Sequence, residues 1–162
     1  RSSACCDRRV ARDSCRTPRD SWRRATRAGA DRLRHDLPDG SFHHDFLVQL
    51  NGPGSALQTW RVQERIHELV VGEYGGGFWA EPLGEHREAY LTFEGDIGGG
   101  RGSVKRVAEG LVHLPNPETV LSTDQAVFEG TWHTGPNRRK MRFSGARDSG
   151  GGKRWLFAVV PA

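Results

Sequence analysis

The chain has 162 residues, 35% of them hydrophobic, with Gly 21, Pro 8 and a formal net charge of +4. That length holds one ordinary domain and not two, and no stretch approaches the ~20 consecutive apolar residues of a membrane-spanning helix. The positive balance is confined to one end. Residues 1–34 carry eleven Arg against four Asp, a balance of +7, while residues 35–162 carry thirteen Lys and Arg against sixteen Asp and Glu, a balance of −3. The basic character therefore describes an N-terminal stretch and gives no general argument for a nucleic-acid surface on the body.

Taken in chain order, residues 1–34 have almost no apolar periodicity and read as a disordered, Arg-rich extension. No apolar run suits a signal peptide and no amphipathic face suits a transit helix. All three cysteines, Cys5, Cys6 and Cys15, fall here, too few and too irregularly spaced for a disulfide framework or a zinc knuckle. A body without cysteine predicts a reducing, cytoplasmic setting.

From residue 35 to 162 the pattern changes to short apolar runs between Gly-rich turns, which predicts one all-β domain. Residues 45–50 end at Asn51-Gly52, a hairpin signal, and residues 56–62 supply the returning strand. Residues 87–94 read as the next strand, paired across the glycine-rich run 98–102 with a strand over 103–108. Glu109-Gly110 reads as a turn into a strand at 111–114. Strands at 126–132, 140–145 and 154–160 follow, the last two joined by a hairpin tip at Gly150-Gly151-Gly152. A short helix is open at 66–71 or after Pro82. Strands so spaced predict an antiparallel β-barrel of about eight strands with little helix, because closure removes exposed edges.

Histidine carries the chemistry. His35, His43 and His44 fall within ten residues and Asp45 follows. Period-two geometry puts His43 and Asp45 on one strand face and His44 on the other, outward one. An imidazole and a carboxylate side by side suit a divalent transition metal, with His35 as a third donor. His-x-Asp alone is equally at home at a polar strand end, so both readings stand on the residues. His67, His113 and His133 read as surface or satisfied strand histidines, and Trp60, Trp132 and Trp155 as core. The run 98–102 lacks the Gly-Lys-Ser/Thr of a phosphate loop and reads as a hairpin tip. Arg101, Lys105 and Arg106 fit a solvated face or a phosphate backbone equally well.

Several motifs in order resemble a known family. His35-Asp36, then Phe42-His43-His44-Asp45-Phe46, Trp60 within LQTWRV, EHREAYLTFEG (85–95), the glycine-rich hairpin, and the closing strands with Trp155 are similar to the 3′-phosphoesterase module found at the N-terminus of bacterial ligase D. The resemblance implies a β-barrel that processes 3′-phosphate or 3′-ribonucleotide ends of nucleic acid in DNA end repair. It implies His35, His43 and Asp45 as ligands of a divalent metal, manganese by preference, with His86 contacting the phosphate and Tyr90 beside it. It further implies DNA or RNA–DNA 3′ ends as partners, alongside a ligase or polymerase, and a monomeric protein away from membranes. There are departures. The family's Arg two residues beyond the metal-binding Asp is Leu47, and a Lys expected near Glu64 is missing, with Arg61 and Arg65 as substitutes. The segment between the two outer histidines is two residues longer. These losses also fit a catalytically weakened module that keeps the barrel to bind DNA ends or a partner. On the barrel reading, the site gathers in the interior or mouth, and Leu47 leaves a gap beside Asp45.

Overall fold

The computed structural model describes residues 27–62, 76–134 and 137–162. Ten strands form a single antiparallel sheet: β1 (Arg27–Asp36), β2 (Phe42–Val48), β3 (Leu57–Val62), β4 (Gly76–His86), β5 (Gly95–Asp96), β6 (Ser103–His113), β7 (Val120–Leu121), β8 (Gln125–Thr134), β9 (Asn137–Arg147) and β10 (Trp155–Pro161). Pairing runs β6-β1-β2-β3-β4-β10-β9-β8, and β8 pairs back with β6. Eight strands thus close into a ring, as the turn spacing predicts. Among the described residues the only helix is a four-residue 3-10 turn at Glu88–Leu91, and none is long and apolar enough to cross a membrane.

All eight ring strands send side chains into one apolar cluster. Phe46 lies near its centre, with Trp60, Phe78, Phe128, Trp132, Phe143, Trp155 and Phe157 around it. Trp60, Trp132 and Trp155 are core, as expected. The interior is filled with side chains. A second, smaller cluster of Leu33, Leu47, Leu57 and Val104 lies on the opposite face of β1, β2, β3 and β6. Tyr90, Leu91 and Ile97, from the segment between β4 and β6, cover it.

Two bulges decide which side chains reach that outer face. Along β6, Val104 belongs to the outer cluster whereas Val112 belongs to the interior. The register shifts so that Arg106 pairs Leu33 and Ala108 pairs Arg32, which leaves Val107 as the extra residue. One extra residue exchanges the faces of everything beyond it. The same happens on β4. Pro82 pairs Trp60 and Gly84 pairs Thr59, so Leu83 is the extra residue. Phe78 and Ala80 point inward before it, and His86, opposite outward-facing Leu57, comes after it.

Several sequence expectations change. The boundary at residue 34 is too late. β1 begins at Arg27 and is paired on both sides, by β2 and β6. Its inward residues, Ala30 and Arg32, are one small and one cationic, so hydropathy hid a central strand; the rest of the extension, 1–26, lies outside the described residues. Residues 87–94 are not a strand but the 3-10 turn and its exit, while 76–86 form a strand that passed unnoticed because Gly76, Gly77, Pro82 and Gly84 broke its pattern. Glu109-Gly110 is not a turn. Gly110 sits mid-strand because a side chain there would meet the Trp132 ring at 2.9 Å. His44 faces inward and is buried, because it shares the parity of Phe46. Leu47 leaves no gap: it is fully buried in the outer cluster. The helix allowed at 66–71, with Glu64, Arg65 and His67, lies outside the described residues.

Candidate metal centre

His35 and His43 are directly paired across β1 and β2, and Asp45 is two residues along from His43 on the same face. Parity with Leu47 places all three on the outer face, not inside the ring. His43 Nε2 lies 3.3 Å from Asp45 Oδ1 and His35 Nδ1 lies 3.8 Å from Asp45 Oδ2. The two imidazoles meet edge-on at 4.7 Å. One donor atom from each of the three residues falls within 4.8 Å of the others. Three converging N and O donors at this spacing can hold one divalent ion.

The electrostatics of the cluster favour such an ion. The Asp45 side chain is only 8% exposed, and its Oδ1 accepts no hydrogen bond from the described residues. Burial pushes its carboxyl up from the ordinary range, against the lowering influence of His43, His35, His86 and Arg61. Burial holds the His43 imidazole below its ordinary range; Asp45 opposes this, and the charges of Arg61 and His35 reinforce it. A neutral imidazole beside a desolvated carboxylate is an arrangement that protein groups alone leave poorly compensated. A cation would compensate it, so the residues fit a metal.

His86 stands apart from the three. It lies at the end of β4, opposite Leu57, and its charge reaches Asp45. Its Nδ1 is 3.4 Å from the Gly84 carbonyl oxygen, which leaves Nε2 to face outward. Tyr90 meets His86 at 5.4 Å, edge to face. Tyr90 does not lie on a strand over 87–94, as the sequence suggests, but on the 3-10 turn packed over the sheet. That turn is pinned from below. Gln49 Nε2 donates to Glu88 Oε1 at 2.9 Å, the Gly54 N–H donates to the same oxygen at 2.9 Å, and the Arg106 guanidinium donates to the Leu91 carbonyl. Gly29 lets Leu91 in, since a β-carbon there would stand 2.5 Å from a Leu91 methyl.

A scan against protein-family models finds no match to this sequence, and a search of curated proteins finds none.

Arg61 is the residue whose place only the fold reveals. It is the cross-strand neighbour of Asp45 on β3 and is exposed on the same face. Its guanidinium makes no hydrogen bond or ion pair with another described residue. The other arginine in reach, Arg101, is committed elsewhere: it donates to the Gly98 and Ile97 carbonyls of its own turn, at 3.1 and 2.8 Å.

Proposed function

We infer that the protein is a metal-dependent phosphoesterase acting on 3′-phosphate or 3′-ribonucleotide ends of nucleic acid, the activity implied by its resemblance to the ligase D 3′-phosphoesterase module. The observation that carries this reading is the His35–His43–Asp45 cluster on the outer face of the sheet, with His86 and Arg61 beside it. A divalent ion, manganese by preference, held by two neutral imidazoles and one carboxylate, would polarise a phosphate oxygen and lower the pKa of a bound water.

The chain's own residues supply the rest. Arg61 offers planar, charge-assisted donors to the phosphate oxygens from the side of Asp45. His86, held between the Gly84 carbonyl and the edge of Tyr90, faces the phosphate with Nε2. As imidazolium it donates a proton to the departing 3′ oxygen as the P–O3′ bond breaks, while a water oxygen bonds to phosphorus and releases its proton to solvent. Tyr90 is a positioning residue, wedged between His86 and the outer apolar cluster. A body without cysteine suits a reducing, cytoplasmic setting, and the resemblance adds a ligase or polymerase as partner of a monomeric enzyme.

A second reading keeps the barrel and the metal but makes the protein a weak catalyst that binds DNA ends. The burial of Leu47, where the family carries an Arg, favours it. One experiment separates the two: purified protein, stripped and reloaded with manganese, is given a primer-template ending in a 3′-phosphate. Manganese-dependent release of phosphate, abolished in His43→Ala and His86→Ala, supports the enzyme. Retention of the DNA end without release supports the binding module. Failure to take up manganese ends both.

A further inference from the structure

The turn between β5 and β6 does more than reverse the chain. His35 Nε2 lies 2.8 Å from the main-chain carbonyl oxygen of Arg101. A carbonyl oxygen has no hydrogen to give, so the hydrogen of this bond belongs to Nε2. A neutral imidazole has only one N–H. Nδ1 is then left with its lone pair, and Nδ1 is the atom that faces Asp45 Oδ2 at 3.8 Å. A lone pair and a buried carboxylate oxygen facing one another repel unless a proton or a metal cation lies between them.

The approach of the turn to His35 depends on one residue. Gly102 has φ +93°, and a β-carbon there would stand 2.0 Å from the Asp36 carbonyl oxygen. That is a clash with backbone, which no rotamer change relieves. The turn is otherwise self-supporting. The Ile97 N–H donates to the Gly102 carbonyl at 2.9 Å, the Gly98 N–H donates to Asp96 Oδ1 at 2.6 Å, and the Arg101 guanidinium folds back onto its own turn. The carbonyl aimed at His35 is therefore held by a rigid local structure.

We propose that this turn is the outer support of the metal centre: the Arg101 carbonyl fixes the tautomer of His35 so that Nδ1 is its ligating atom, and Gly102 is the positioning residue that permits it. The inference rests on the metal reading above, but it makes a claim about the metal-free protein that can be checked separately. Outer-sphere partners of ligating histidines commonly change metal affinity by about 10- to 100-fold when removed. The same scale is expected here.

The test is long-range proton–nitrogen NMR on the full chain with labelled histidine, first metal-free above the ordinary imidazole titration range, then with zinc, a diamagnetic ion that the same donors accept. In the metal-free protein His35 is expected to show a protonated Nε2 and an unprotonated Nδ1, and zinc is expected to shift Nδ1. Gly102→Ala is expected to lose the fixed tautomer and to bind zinc at least about tenfold more weakly. An unprotonated Nε2 in the metal-free wild type overturns the inference and leaves the metal reading standing. The expected tautomer with no zinc response at His35 or His43 overturns the metal reading, and the inference with it. Full zinc affinity and an unchanged tautomer in Gly102→Ala also overturn it. Should that variant fail to fold, the wild-type spectrum still decides.

Discussion

The two faces of β2 differ in what surrounds them. On the inner face the Phe46 ring has six aromatic neighbours, with ring centroids between 5.6 and 6.2 Å away. On the outer face, one residue before it, Asp45 has a buried oxygen without a hydrogen bond from any described residue. Adjacent side chains of one strand thus sit in opposite environments, one in a packed aromatic interior and the other in a desolvated polar cluster. The inner face holds the ring together, and the outer face carries a charge arrangement that protein groups leave incomplete. Stability and chemistry are separated by the pleat.

If that separation is real, its two sides break differently. Phe46→Ala is expected to have the largest effect on folding, about 3–5 kcal/mol, read as a fall in thermal midpoint of roughly 10 °C. The folded fraction should still bind manganese with wild-type affinity. A large loss of metal affinity at unchanged fold would show that the faces are coupled. Leu47→Arg tests the outer cluster from the other direction. Because Leu47 is fully buried among Leu33, Leu57 and Val104, an arginine there is expected to cost about 2–4 kcal/mol and not to improve phosphate release. Enhanced turnover in a stable Leu47→Arg protein would restore the reading in which this position is an open clamp site.

The bulge on β4 offers a sharper break. One residue inserted between Gly84 and Glu85, just beyond the bulge, puts His86 one position out of phase and should turn it from the outer face toward the interior. Phosphate release is expected to fall about 100-fold or more, the scale of a lost general acid. Manganese binding should survive, since His35, His43 and Asp45 lie on other strands. Equal loss of metal and activity would mean that His86 belongs to the ligand set.

These bulges also mark where sequence reasoning stops. Alternation made His43, Asp45 and the inward aromatics legible, and the Asn51-Gly52 turn made the β2–β3 hairpin legible. Closure into a ring followed from many short strands with few other ways to hide their edges. What alternation cannot show is a change of phase. His86 faces Asp45 only because Leu83 shifts the register, and Tyr90 reaches His86 only because a 3-10 turn folds over the sheet. The same limit hid β1, whose inward positions are occupied by Ala30 and Arg32 and whose pairing on both sides does the work that apolar side chains do elsewhere. It also sent the site to the interior or mouth of the ring, whereas parity with Leu47 puts His43 and Asp45 on the outer face and parity with Phe46 puts His44 inside.

A more modest effect should appear at Asp45 itself. Its carboxyl is raised by burial, so in the metal-free protein the folded state holds the proton more tightly than the unfolded chain. Stability then falls as pH rises from the ordinary aspartate value of about 3.8 through the raised one. Above that window the buried charge is a standing cost. Asp45→Asn removes it and is expected to be more stable than wild type at neutral pH by ~1–3 kcal/mol, with the gap closing as pH falls into the carboxylate range. His43 adds an opposite slope, because its lowered pKa costs stability as pH falls below about 6.5. Manganese should reverse the order, stabilising wild type by about 2.7 kcal/mol at a hundredfold excess over Kd and leaving Asp45→Asn unmoved. Thermal unfolding of both proteins with and without metal decides this, and an asparagine variant that is no more stable at neutral pH would contradict the account of the site.

The smallest effect is expected at Arg61. It is exposed and makes no ion pair with a described residue, so Arg61→Gln should leave the folding stability within about 0.5 kcal/mol of wild type. Its charge acts on both His43 and Asp45, and in both cases it favours the unprotonated form. Losing it should make protons compete slightly better for the site, so manganese affinity is expected to fall a little at mildly acidic pH and to recover as pH rises. The substrate tells the functional roles apart. If Arg61 grips the phosphate, KM for a 3′-phosphate end rises about tenfold, the loss of one charge-assisted hydrogen bond worth ~1.5 kcal/mol. Arg61→Lys, which keeps the charge but not the planar fork, should recover only part of it. An unchanged KM with a shifted acid limb would make Arg61 a modulator of the metal ligands alone, and the outer face would then bind phosphate through His86 and the ion without a cationic clamp.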